Sequence, residues 1–208
     1  MTPDPLSPYA AALGDRVSDL DPQLQAYVRA IPAGMVGIGT GVFDSIGCPD
    51  PVVRALLAPL LRPLQRRGAV FSGWAEQVPF TVRNRDHDGR SAERALHLPA
   101  GTWIMRDHVR DLPGGRIVDQ LGRPGMLAAI FDVRTDGGAL ELRSVRVGLR
   151  IGPLRLRIPR LLAPRILLRE SAAAASGRQR VALTVDLPLL GRIHEYAGTF
   201  RYEFEEDA

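Results

Sequence analysis

The sequence GLRIGPLRLRIPRLLAPRILLRE at Gly148–Glu170 and the sequence VALTVDLPLLGRIHEYAGTFRYEF at Val181–Phe204 decide the fold class of this chain. Apolar and polar residues alternate along much of both segments, and this period of two is typical of β-strands that bury one face. Pro and Gly in LPLLG, at Leu187–Gly191, indicate a turn. The two segments therefore predict successive antiparallel strands in the C-terminal part of the sequence.

The same period extends back to Gly68, and four Gly-containing turns divide this region into strands. The turns are DHDG at Asp86–Gly89, LPGG at Leu112–Gly115, GRPG at Gly122–Gly125 and TDGG at Thr135–Gly138. Near Ser144 the apolar residues change from even to odd positions, which predicts a β-bulge or a bend. A long sheet that bends repeatedly favours a barrel or half-barrel, because closure removes exposed sheet edges.

One longer helix is predicted before these strands. Asp50 followed by Pro51 is a favourable N-cap and first-turn pair, and apolar residues follow at helical spacing as far as Leu64. Pro59 and Pro63 should kink this helix or divide it into two pieces, since each removes a backbone donor. A helix tipped with Arg could also lie on a membrane, but a core-facing helix is the more common arrangement.

A single domain is predicted over the 208 residues. Residues 1–22 are interpreted as an N-terminal arm, residues 23–67 as mostly helical with one Gly-rich strand, and residues 68–208 as an antiparallel β meander. The Gly-rich strand, GMVGIGTGVF at Gly34–Phe43, permits close backbone approach, and the missing βαβ alternation argues against a dinucleotide site. The predicted fold class is α+β, mainly antiparallel β, with a lipocalin-like barrel or half-barrel sheet wrapped around one kinked helix.

Composition excludes several classes of function. All 27 basic residues are Arg, so lysine Schiff bases and P-loop lysines cannot occur. The formal net charge is only +4 and the Arg residues are spread along the sequence, so no nucleic-acid partner is expected. The single Cys48 excludes an intrachain disulfide and favours a cytoplasmic location. No apolar run is long enough to cross a bilayer, so a soluble protein without stable membrane insertion is expected.

Strand alternation places four polar residues on otherwise apolar faces. These candidate catalytic residues are Glu76, Asp107, Asp119 and His194. Buried carboxyls have raised pKa values and can act as general acids, while a His near neutrality exchanges protons in either direction. The alternative is a structural role, in which the carboxyls pair with Arg residues on neighbouring strands. The candidate ligand-binding residues, all on the same faces, are Trp74, Trp103, Met105, Tyr196, Phe200 and Tyr202.

Neither a metal site nor a cofactor is expected. Asp86, His87 and Asp88 belong to a turn-like DHDG, and no helical ligand pair such as HExxH occurs. The sequence lacks the GxSxG motif that would indicate a nucleophilic hydrolase. Arg155 and Arg157 alternate with Leu residues and are interpreted as a solvated strand face, although they could clamp a carboxylate.

Several segments of the C-terminal half carry a family resemblance. They are IVDQLG at Ile117–Gly122, the strand pair through Gly138, IGPLRLRIPRLLAP at Ile151–Pro164 and VDLPLLGRIHEYAGTF at Val185–Phe200. In these segments the chain resembles the bacterial family named domain of unknown function 4166 (DUF4166), most clearly from about Gly115 onward. The family is sometimes fused to dehydrogenase-like domains. The resemblance implies a β-rich single domain and no particular activity.

Three functions follow as hypotheses. The first is binding of an apolar small molecule in a pocket between a curved sheet and the Val53–Leu64 helix. The second is a cofactor-independent cyclase or isomerase that acts on a hydrophobic metabolite of natural-product biosynthesis. The third is an accessory domain that docks a dehydrogenase-like protein partner. Convergence of the polar residues on a cavity would favour the enzyme, and an exposed apolar patch would favour docking.

Overall fold

The computed structural model describes residues 6–123, 125–151, 154–159, 161–173 and 177–207. Its helices are α1 (Pro8–Leu13), a 3-10 helix (Gly14–Asp19), α2 (Pro22–Val28) and α3 (Pro51–Arg66). The first six strands are β1 (Met35–Gly47), β2 (Trp74–Asp86), β3 (Arg90–Leu98), β4 (Gly101–Leu112), β5 (Arg116–Leu121) and β6 (Leu127–Asp136). The others are β7 (Ala139–Ile151), β8 (Leu154–Arg157), β9 (Arg165–Ala173), β10 (Arg178–Leu187) and β11 (Gly191–Glu206).

Ten of these strands close into an antiparallel barrel. Strands β1 to β6 pair in sequence order, β6 pairs with β7, and β9, β10 and β11 continue from β7 back to β1. Strand β8 lies outside the ring and pairs with β7. The predicted fold class, a mainly antiparallel lipocalin-like α+β barrel, is confirmed. Closure leaves the ring of ten strands without a free edge.

Alternate side chains bring aromatic rings together inside the barrel. Phe43 stacks on Phe80 with ring centroids 3.9 Å apart, and Phe80 lies 6.0 Å from Phe200. The glycines of β1 make room for these rings, since a Cβ on Gly41 would lie 2.6 Å from the Cβ of Phe200 and one on Gly39 would lie 3.1 Å from its ring. The close approach predicted for the Gly-rich strand is therefore confirmed.

The N-terminal segment closes one end of the barrel. Ser7 caps α1 by accepting a hydrogen bond from the Ala10 amide at 3.1 Å, and Pro8 occupies the first turn. Tyr9 and Leu13 then pack into the main core with the inward residues of the strands. Within the segment that the sequence suggested as an arm, the described α1 therefore contributes to the barrel core.

Arg90 fastens α2 to the barrel wall. Its side chain is 2% exposed and donates hydrogen bonds to the carbonyls of Tyr27 and Arg29, both at 2.7 Å. It also forms an ion pair with Asp86 at 2.8 Å. A buried guanidinium needs such a full set of acceptors, because burial without them costs several kcal/mol.

Helix α3 lies across the opposite end of the barrel. Leu57, Leu61 and Leu64 form its buried face. They share a second apolar cluster with residues at the near ends of β5, β6, β7, β10 and β11, namely Leu121, Leu127, Leu149, Leu187 and Ile193. The predicted cap is confirmed, since the Asp50 carboxylate accepts hydrogen bonds from the amides of Val52 at 2.7 Å and Val53 at 3.0 Å.

The two prolines inside α3 do not divide it. The helix runs without a break from Pro51 to Arg66. Pro59, Pro63 and Ala55 are all exposed, so the Ala55 and Pro59 carbonyls, which lose their intrahelical donors, face solvent. Of the two predicted outcomes, division into two pieces is therefore wrong, and a kink within one continuous helix stays a prediction. No helix among the described residues is long and apolar enough to span a bilayer.

Irregularities in β7 and in β2 change which of their residues face inward. In β7 the register against β6 shifts so that Phe131 pairs with Ser144 and Ile130 with Arg146, which makes Val145 an extra residue. The predicted bulge near Ser144 is confirmed. The extra residue is 38% exposed, whereas Val147 beyond it is buried.

The second irregularity lies in β2 at Gln77, whose φ of 50° is left-handed. Ala75 packs against the core before this point and Val78 is buried after it, so the alternation inverts between them. Glu76 is consequently exposed. The prediction that Glu76 faces the interior is wrong, because Gln carries no signal for a left-handed conformation that Gly or Asn would mark.

All four predicted Gly turns connect consecutive strands. Gly residues with positive φ in these turns are Gly89, Gly114, Gly115, Gly122, Gly125, Gly137 and Gly138. Pro124 of the third turn lies outside the described residues, as does the side chain of Arg155. Arg157 is exposed on β8, as predicted for a solvated face.

Candidate functional site

A cluster of polar side chains lies inside the barrel. Arg94 on β3 shares its inward face with Ala92 and Leu96, which are both buried. It forms an ion pair with Asp107 on β4, and the two side chains are 18% and 3% exposed. Asp107 therefore pairs with an Arg on a neighbouring strand, which is the structural role considered as the alternative to catalysis.

Two further carboxyls belong to this cluster and lack such a partner. Asp119 on β5 and Glu170 on β9 each carry one oxygen, Oδ1 and Oε2 respectively, that is buried and accepts no hydrogen bond within the described residues. Burial raises the pKa of Asp119, and burial raises the pKa of Glu170 to about 7, while the Arg94 guanidinium lowers both values. One guanidinium cannot neutralise three carboxylates, so this cluster holds a proton near neutral pH.

Three tyrosines surround the carboxyls. Tyr9 on α1, Tyr27 on α2 and Tyr196 on β11 are buried. The Tyr27 hydroxyl opposes the rise in the pKa of Glu170. Burial raises the pKa of Tyr196 to about 12 and raises the pKa values of the other two as well, with the carboxyls adding to the effect. All three therefore stay protonated and serve as neutral hydrogen-bonding groups.

His194 lies apart from the carboxyls, closer to α3. It is 9% exposed, its Nδ1 is buried without a partner in the described structure, and its ring lies 6.3 Å from that of Tyr196. Burial lowers the pKa of His194 to about 4, and a hydrogen bond with the Phe71 backbone opposes this effect. The imidazole is therefore neutral at pH 7.

The sequence-predicted residues are only partly brought together. Asp107 and Asp119 join the cluster, His194 lies at its edge, and Glu76 is outside. Among the predicted ligand-binding residues, Met105, Tyr196 and Phe200 are buried, whereas Trp74, Trp103 and Tyr202 are partly exposed. Trp74 donates to Glu76 at 3.3 Å and Trp103 to the Gln65 carbonyl at 3.0 Å, so neither indole N–H points to the carboxyls.

Sequence reasoning missed four members of the cluster. Arg94 shares parity with Ala92 and Leu96, and Glu170 shares parity with Ile166 and Leu168, so strand alternation carried a signal for both. Tyr9 and Tyr27 carried no such signal, because strand alternation says nothing about which helix enters a barrel.

The chemistry open to this site is proton exchange and hydrogen bonding. Glu170, with a pKa of about 7, both donates and accepts protons at neutral pH, and the cationic Arg94 stabilises negative charge beside it. Across the part of the chain that is described, no three His, Cys, Asp or Glu side chains form a group that could hold a metal ion.

A family comparison agrees with the resemblance seen in the sequence. The sequence pattern of the family described as domain of unknown function (DUF4166) matches residues 20–200, nearly the whole chain. The chain belongs to this family. The match extends well before Gly115, where the sequence motifs began to carry the resemblance, and it therefore covers α2, α3 and the Gly-rich strand β1. No curated protein and no solved structure matches the chain. The barrel of this DUF4166 protein is compatible with binding of a small molecule.

Proposed function

We propose that the barrel interior binds an apolar small molecule that carries one hydrogen-bonding group. The observation that carries the proposal is the pair of buried oxygens on Asp119 and Glu170 that have no partner in the described structure, set among aromatic side chains. Buried polar groups in native proteins are nearly always satisfied, so orphaned acceptors favour a ligand that supplies donors. The surrounding rings would contact the apolar part of the ligand.

Entry at the α3 end fits the contacts best. The opposite end is fastened through Arg90, which binds two α2 carbonyls. Helix α3 instead packs through three leucines, and its C-terminal turn is tied to β4 by the hydrogen bond from Trp103 to Gln65. A hinge at that turn would let the N-terminal part of α3 move away from the strand ends. Helix α3 would then act as a cover over the barrel interior.

Fluorescence titration with N-phenyl-1-naphthylamine, an apolar probe with one N–H donor, tests the proposal. Asp119→Asn and Glu170→Gln change the acceptors with little change in volume, and each should weaken binding about tenfold, the equivalent of one lost hydrogen bond to a charged group. Glu76→Gln is the matched control on the outer surface and should leave the affinity unchanged. Equal affinity in all four proteins would exclude the interior as the site.

A second candidate function is cofactor-independent acid–base catalysis on a hydrophobic substrate. It is favoured by the pKa of Glu170 near 7, close to Arg94, because a general base works best near the ambient pH. Asp119 and Glu170 would be the proton-exchanging groups, Asp107 would position Arg94, and Glu76 would take no part. Deuterium incorporation from D2O into 2-tetralone, an apolar enolisable ketone, measures this ability by NMR. Catalysed exchange that is lost in Glu170→Gln would support it, and exchange at the solvent rate would exclude it for ketones.

A further inference from the structure

Exposed apolar side chains concentrate at the α3 end of the barrel. Nine of the twelve large hydrophobic residues that are exposed in the described part of the chain form what we call the apical surface. They are Val52, Leu56 and Leu60 on α3, Leu154 and Leu156 on β8, Leu161 and Leu162 in the loop before β9, and Leu189 and Leu190 in the β10–β11 turn.

Strand register explains why these residues share one end. Leu156 of β8 pairs with Leu149, which packs in the α3 cluster. Leu187 packs in the same cluster and directly precedes the β10–β11 turn. The loop that contains Leu161 leads into Arg165, which pairs with the neighbour of Leu187 in β10. Helix, hairpin, loop and turn therefore surround the same mouth of the barrel.

Helix α3 is apolar on two faces. Leu57 and Leu61 point into the barrel, while Leu56 and Leu60 point outward and are exposed. A helix that is apolar all round is normally covered on all sides, and large exposed apolar patches mark interaction sites. The outer face of α3 therefore carries the apolar side chains that are typical of a surface in contact with a binding partner.

Leu189 is held in a strained conformation that exposes it. Its φ is 73°, in the left-handed region that favours Gly, and its side chain is 98% exposed. This conformation is not compensated by packing of the Leu189 side chain within the described protein. Strained residues cluster at functional sites, and Leu189 lies at the tip of an apical turn.

The charge of the apical end complements an anionic partner. Along the sequence, residues 50–75, 120–127, 145–168 and 187–191 contain 11 of the 27 Arg residues and one of the 23 acidic residues, the α3 cap Asp50. The rest of the chain therefore has a net charge of −6, although the whole chain has +4. Nine of these 11 Arg side chains belong to the described structure, and those of Arg155 and Arg160 lie outside it. Four of these arginines, Arg62, Arg66, Arg67 and Arg123, line a cleft of about 660 Å³ beside the C-terminal turn of α3.

We propose that the apical surface docks onto an anionic lipid bilayer. The leucines enter the boundary between headgroups and acyl chains, and the surrounding arginines contact lipid phosphates. Leucines that protrude separately from a helix, a hairpin, a loop and a turn fit a fluid apolar phase better than one rigid protein face. The docking is peripheral. It uses only exposed residues, so it does not depend on whether the barrel interior binds a ligand.

Co-sedimentation of the full chain with vesicles tests the proposal. Binding should be strong to phosphatidylcholine vesicles that contain about one third phosphatidylglycerol, weak to pure phosphatidylcholine, and reduced about tenfold or more when NaCl rises from about 0.01 M to about 0.5 M. Leu56→Glu/Leu60→Glu should lose about tenfold or more of the affinity. Leu6→Glu is the matched control, because Leu6 is equally exposed and lies in the N-terminal segment at the opposite end of the barrel.

Leu189→Gly separates docking from folding. Gly accepts the positive φ, so this variant should unfold at the same or a higher temperature while its vesicle affinity falls. Three results would overturn the proposal: no binding to anionic vesicles at low salt, undiminished binding by Leu56→Glu/Leu60→Glu, or a dimer that the same double substitution dissociates. The last result would assign the apical surface to self-association.

Discussion

Arg94 and Asp107 form their ion pair diagonally across two strands inside the barrel. The register of β3 and β4 places Arg94 opposite Met105, so the guanidinium reaches two residues along β4 to the carboxylate of Asp107. Diagonal neighbours in a sheet are about 7–8 Å apart and within reach of a long side chain. This pair occupies the Arg94 guanidinium, whereas Asp119 and Glu170 each keep a buried oxygen without a hydrogen-bond partner in the described structure.

Loss of the Arg94 guanidinium should destabilise the protein strongly. Arg94→Met leaves Asp107 as an unpaired carboxylate in the interior, which costs about 3–5 kcal/mol in the free energy of unfolding. Arg94→Met/Asp107→Leu should recover part of that loss, since it removes both charges. Urea unfolding measures both variants. The control is Arg116→Met, whose half-exposed pair with Asp132 should contribute less than about 1 kcal/mol. An equal loss in the Arg94 and Arg116 variants would show that Asp107 is solvated.

Glu170 should make the protein less stable as the pH rises. Its pKa is about 7 in the folded protein against a reference of 4.5, so the folded state binds more protons than the unfolded state between these values. The free energy of unfolding therefore falls as the pH rises from 4.5 to 7, by about 3 kcal/mol for this one group. Glu170→Gln should remove this fall, and the exposed Glu76→Gln should not. Denaturant unfolding at a series of pH values measures the difference, and parallel profiles would contradict the prediction.

His194 should make the protein more stable as the pH rises, over a pH range that overlaps that of Glu170. Its pKa is about 4 in the folded protein against a reference of 6.5, so the folded state binds fewer protons between these values. The free energy of unfolding then rises with pH from 4 to 6.5, by about 3 kcal/mol, and partly cancels the effect of Glu170. In His194→Phe, the free energy of unfolding should therefore show the full fall with rising pH that Glu170 causes. Imidazole NMR titration of His194 checks the pKa directly, and a midpoint at the reference value of 6.5 would rule the effect out.

The fold class followed from sequence because its signals are local. Period-two alternation and Gly turns are readable residue by residue, and a sheet that bends repeatedly has few ways to protect its edges. The bulge at Val145 was also readable, since apolar residues change parity around it.

The site was less predictable because it depends on single backbone events and on long-range packing. One left-handed residue, Gln77, moved Glu76 from the interior to the surface. The entry of Tyr9 and Tyr27 into the barrel depends on contacts with distant strands, which no local period encodes. Arg94 and Glu170 could have been found from parity, but each resembles a solvated charge until its neighbours are known.

The packing of β1 against β11 gives a final prediction, at Gly41. A Cβ at this position would lie 2.6 Å from the Cβ of Phe200 and would also press on the Thr199 carbonyl, so strand backbone has to move. Overpacking of a rigid core costs about 1–3 kcal/mol, and Gly41→Ala should reach the upper end of this range because the opposing atoms belong to a paired strand. For a chain of this size the melting temperature should fall by about 5–10 °C. Gly148→Ala is the control, because its Cβ would meet only the Leu156 carbonyl, at 3.1 Å. Thermal unfolding followed by circular dichroism measures both variants, and a smaller fall for Gly41→Ala than for Gly148→Ala would show that β1 and β11 are packed less closely than described.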